Sequence, residues 1–65
     1  MADRELLIAR KHEVRRRIEQ MRRTLEAERD KAQPAQRQIN RLETQLEGLM
    51  AEEYNLRVAI DQARS

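Results

Sequence analysis

Apolar residues recur at alternating spacings of three and four from Leu7 to Ala63, and this stripe limits what the chain can become more than any other feature. Counted in heptads, position a holds Ile18, Leu25, Ile39, Leu46 and Ile60, and position d holds Leu7, Val14, Met21, Leu42, Leu49 and Leu56. Ala32, Ala35 and Ala63 also fall on the seam, and its polar exceptions are Arg4, Lys11 and Glu53 at a and Glu28 at d. A repeat held in one phase over this length specifies helices that pack along a shared seam.

The one interruption is Pro34, the only proline. It lies at an outer heptad position, yet it lacks an amide hydrogen and crowds the carbonyl of Asp30, which costs about 3 kcal/mol inside a helix. Gln33 before it is pushed away from helical geometry as well. The expectation is therefore an all-α fold: an antiparallel coiled-coil hairpin forming one helical domain over residues 1–65. Its first helix spans residues 3–32, its turn residues 30–34 and its second helix residues 34–63. Proline suits the first turn of a second helix, and Asp30 followed by Gln33 resembles a capping box. The alternative is one long continuous helix paired in an antiparallel dimer, which makes the same contacts between two chains.

Charges beside the seam select the antiparallel direction. A parallel in-register dimer would set Arg10 against Arg15 and Arg17 against Arg22 on both sides, a repeated like-charge clash. Folding the chain back instead layers Leu7 with Ile60, Ile18 with Leu49, Met21 with Leu46 and Leu25 with Leu42, with Ala32 and Ala35 where the helices come closest. That register places Arg22 near Glu43 and Arg17 near Glu52. Lys11 and Glu53 are expected to pair across the seam and fix it.

A chain of 65 residues with no cysteine and a single histidine, His12, has neither disulfides nor a zinc ligand set to stabilise it. Oligomerisation or a partner is what remains, and a four-helix bundle built from two hairpins is the natural form. The apolar residues outside the main stripe are Leu6 and Ile8 near the start and Met50, Tyr54 and Val58 in the second helix. They are the candidate partner-binding residues, expected near the open end of the hairpin. The partner is a second copy of the chain, a larger protein, or both.

The stretch "ARKHEVRRRIEQMRR", residues 9 to 23, is rich in arginine and supports a rival reading as a nucleic-acid-binding bundle. Its candidate phosphate contacts are Arg15, Arg16, Arg22 and Arg23. Against it stand a net charge of only +2, acids spread through both helices, and no aromatic close by in sequence to stack on a base. A solvated, salt-bridged face is the simpler account of those arginines.

Nothing in the chain suggests catalysis. His12 has no Cys or second His beside it, and Glu52 and Glu53, being adjacent, diverge on a helix. Gly48, the only glycine, excludes a phosphate-binding loop. No cofactor, metal or small-molecule substrate is expected. The only apolar run near the start, Leu6 to Ala9, is too short for a signal peptide or a membrane span. The sequence reads as a cytoplasmic chain, and its start at Met1 fits a complete one.

Overall fold

The computed structural model describes residues 3–63. Two helices, α1 (Arg4–Arg29) and α2 (Gln36–Gln62), lie side by side in a hairpin, and no strand occurs among the described residues. The molecule measures 51 × 15 × 13 Å. A continuous helix of these residues would reach about 90 Å, so the chain turns back at the proline and the long-helix alternative does not hold for it.

The helices are shorter than the stripe suggests, and their ends explain why. Asp3 caps α1, its carboxylate accepting from the Glu5 amide at 2.9 Å. At the other end Asp30 is the C-cap of α1, four residues before Pro34, so the carbonyl that the proline ring would crowd has already left the helix. Residues 30–35 form the connection, and no described residue has a positive φ. The second helix starts two residues after Pro34, behind an N-cap, Ala35, that has no side chain to offer. The capping box expected from Asp30 and Gln33 is therefore not made. Ala32 and Ala35, expected at the closest approach of the helices, are exposed in the connection instead.

Glu28 supplies what Ala35 lacks. Its side chain is buried although charged, with one carboxylate oxygen accepting from the Ala35 amide at 3.1 Å and the other 2.6 Å from the Lys31 ammonium. In a capping box the third residue of a helix reaches back to the N-cap amide; here a residue of the preceding helix performs that role. It also sets a negative charge at the start of α2, whose own first turn has no acid. These donors hold the Glu28 carboxyl below its ordinary value, the Lys31 contact contributing most and the Ala35 amide next.

The core consists of Val14, Ile18, Leu25, Ile39, Leu42 and Ile60. Leu25, Ile39 and Leu42 cluster near the turn with Met21 and Leu46 against them. Leu7 and Leu56 toward the open end and Leu49 at mid-length are only half-buried, because a hairpin gives each helix a single neighbour.

The flanking pairs differ from those expected by one heptad each. Arg10 donates through Nε and Nη2 to Glu52 at 3.0 and 2.7 Å, and Arg29 lies 3.5 Å from Glu43. Arg17 pairs within α1 with Glu13 at 3.1 Å. On either flank a carboxylate sits between two arginines a heptad apart, and a long guanidinium side chain reaches it from either side. The seam is unchanged by this exchange. Lys11 and Glu53 do not fix the seam as a pair: in an antiparallel seam an a residue faces a d residue, so both fall in different layers, and Glu53 turns to Arg57 at 3.6 Å.

Candidate functional site

The surface that demands explanation lies on one flank of the hairpin, where α2 turns Met50 and Tyr54 outward. Tyr54 is 65% exposed and Met50 46%, unusual for the only aromatic and a long apolar side chain in so small a molecule. Together with Ile18, Arg22, Glu53 and Arg57 they line a shallow depression between the helices. Ile18, a core residue, is the one buried side chain in this lining.

The other sequence candidates distribute around this site rather than all joining it. Val58, 38% exposed, continues the row toward the open end. Ile8 is half-buried, while Leu6 is exposed. Two residues apart on a helix means about 200° of rotation, so Leu6 belongs to the opposite flank and cannot share a partner surface with Ile8. Met50 itself sits at the middle of α2, so the patch begins at mid-length and is not confined to the open end as expected.

Of the four candidate phosphate contacts, Arg15 and Arg16 border a second shallow depression with Ala9, His12 and Glu19. Arg23 pairs with Glu19 at 3.5 Å. Arg22 faces the Met50 and Tyr54 site. Tyr54, 32 residues away along the chain, lines the same depression as Arg22. Among the described residues no carboxylate is paired with Arg15, Arg16 or Arg22.

Sequence reasoning missed Glu47 and Arg57. Neither is apolar, so a search for exposed hydrophobic residues passes over them, yet both sit beside Met50 and Tyr54 at helical spacing. On the opposite flank Gly48 opens onto a shallow groove with Gln20, Thr24 and Gln45, and a methyl group added to it would touch nothing within 4 Å. No group of three His, Cys, Asp or Glu among the described residues is arranged to hold a metal ion. No helix among them is long and apolar enough to cross a membrane.

Comparison with protein-family models, curated proteins and solved structures finds no match to this chain.

Proposed function

We propose that this chain is a non-catalytic protein-protein interaction and assembly module of the cytoplasm, working as a small adaptor, a chaperone-like factor or an inhibitor. The observation that carries the reading is the Met50 and Tyr54 depression. A hairpin with six buried apolar side chains leaves its largest remaining ones in water, at mid-length, in a depression that a core residue also lines. Burying such side chains against a partner contributes about 1.5–3 kcal/mol each, which a two-helix molecule of this size needs. Self-association into a four-helix bundle and docking on a larger protein are the two forms the reading takes.

Light scattering over a concentration series, repeated with Met50→Glu combined with Tyr54→Glu, tests it. The wild-type chain is expected to associate, and the double variant to remain helical and lose association. An unchanged assembly state and unchanged partner binding would sink this reading.

A second reading draws on Tyr54 and Arg22 lining one depression: a single-stranded nucleic acid would stack a base on the ring while Arg15, Arg16, Arg22 and Arg23 take phosphates. Salt separates the two. Binding of an oligonucleotide should weaken steeply as salt rises, whereas association through Met50 and Tyr54 should hold or strengthen in kosmotropic salt.

A further inference from the structure

Glu43, Glu47, Met50, Tyr54 and Arg57 follow one another along α2 at spacings of four, three, four and three. That is a second heptad stripe, running beside the seam that closes the hairpin. The hairpin does not consume it: Glu47, Met50, Tyr54 and Arg57 are all exposed and Glu43 is half-buried. Its order is acid, acid, apolar, aromatic, base.

Such an order is complementary to its own reverse. In an antiparallel pairing of two copies of α2, residues of one heptad class face residues of the other. Met50 then packs on Tyr54 of the second copy, and Glu47 meets Arg57 of the second copy. A two-fold axis makes each contact twice. Shifting the register by one heptad sets Met50 against Glu47 and Tyr54 against Glu43, and loses both the apolar layers and the ion pairs. A partner helix of uniformly acidic character would face Glu43 and Glu47, and a nucleic acid would bring phosphates to the same carboxylates.

We infer that a second copy of this hairpin covers the face, antiparallel to the first, about a two-fold axis that crosses α2 between Met50 and Tyr54. This rests on the reading of that depression as an interaction surface and specifies its occupant. The existing contacts of the charged residues permit it. Among the described residues Arg57 is held only by Glu53, at 3.6 Å, with 66% of its side chain exposed, so its guanidinium can swing to a second carboxylate. Glu43 is already neutralised by Arg29, which matters because the two-fold brings it toward Asp61 of the second copy. On α1 the same axis crosses at the level of Arg15, so Arg15 faces Arg15 of the second copy, with Glu19 of that copy about a turn away.

Charge reversal in two separate chains is the test. Glu47→Arg alone makes two like-charge contacts per dimer, as does Arg57→Glu alone. Each is expected to weaken self-association by about tenfold or more. Mixed in equal amounts, the two variants restore every pair, so a heterodimer should form at the wild-type concentration, read by native mass spectrometry with one chain isotope-labelled. Circular dichroism of each variant keeps loss of folding apart from loss of contact.

If each variant associates as the wild type does, or if the mixture shows no preference for the heterodimer, the proposed register is wrong. A wild-type chain that remains monomeric into the millimolar range overturns the second copy as occupant but leaves a larger partner on the same face. Failure of the interaction reading itself has a different signature: an assembly state indifferent to Met50→Glu with Tyr54→Glu.

Discussion

Glu28 occupies a seam position where a leucine would ordinarily be better buried, and the reason is local to its carboxylate. Replacing it with Gln keeps an oxygen for the Ala35 amide but removes the ion pair with Lys31. The carboxyl titrates below its ordinary value of 4.5 in the folded chain, so the folded state binds that proton less readily than the unfolded state does. Its contribution is therefore complete above the unfolded value and is lost as pH falls through the lowered one. Melts followed by circular dichroism should show Glu28→Gln less stable than wild type near neutral pH, with the gap closing below about pH 4. A gap that stays constant down to pH 2 would assign Glu28 a purely steric role. Gly48 offers the opposite case. Nothing lies within 4 Å of the methyl group that Ala would add, and glycine within a helix costs about 1 kcal/mol relative to alanine. Gly48→Ala should raise the melting temperature by about 4–8 °C and leave self-association unchanged, since residue 48 is turned about 200° from Met50. Loss of association would place a partner backbone at this glycine.

At the scale of the helices, burial is uneven along one seam, and substitution should report it. Leu25 is 4% exposed in the cluster nearest the turn, whereas Leu49 is only half-buried at mid-length. Leu25→Ala is expected to cost about 3 kcal/mol, a large share of the ~3–10 kcal/mol typical for a chain of this length. Leu49→Ala should cost visibly less by urea unfolding, and equal costs would mean that the middle of the seam is covered in solution. The two helices, their direction and their seam were legible in the sequence because heptad phase and the sign of flanking charges act at every turn. The ends were not. Asp30 and Gln33 carry the letters of a capping box, but Pro34 displaces the helix start beyond them, and the amide left over is taken by Glu28, a residue the heptad count marks only as a defect. The flanking pairs were likewise ambiguous, since Glu43 and Glu52 each have two arginines in reach and side-chain reach is not written in spacing. For the candidate site, the sequence supplied Met50 and Tyr54 but read them with Val58 at intervals of four, a row that winds off the face. The stripe that stays on it alternates four and three and includes Glu47 and Arg57.

The whole molecule is shaped by a competition between one proline and an uninterrupted heptad phase. Ala32 and Ala35 keep the a and d positions across the connection, so nothing in the seam itself requires the chain to turn there. Asp30, Lys31, Ala32, Gln33 and Ala35 contain no glycine and include good helix formers. The turn is therefore imposed by Pro34 and secured by Glu28. Removing the proline relieves about 3 kcal/mol against a continuous helix, and the same seam is then satisfied between two chains laid antiparallel, at the expense only of bringing them together. Pro34→Ala is expected to convert the hairpin into a two-chain rod. Small-angle scattering should register the largest dimension rising from about 50 Å to about 90 Å, the length of a helix running from residue 4 to residue 62. Mass alone does not decide it, because two hairpins joined through Met50 and Tyr54 also weigh two chains. Length does, since that pairing keeps the long dimension near that of a single hairpin. Should Pro34→Ala remain short at every concentration, the carboxylate of Glu28 would be holding the turn unaided, and adding Glu28→Ala to the same chain would then release the long form.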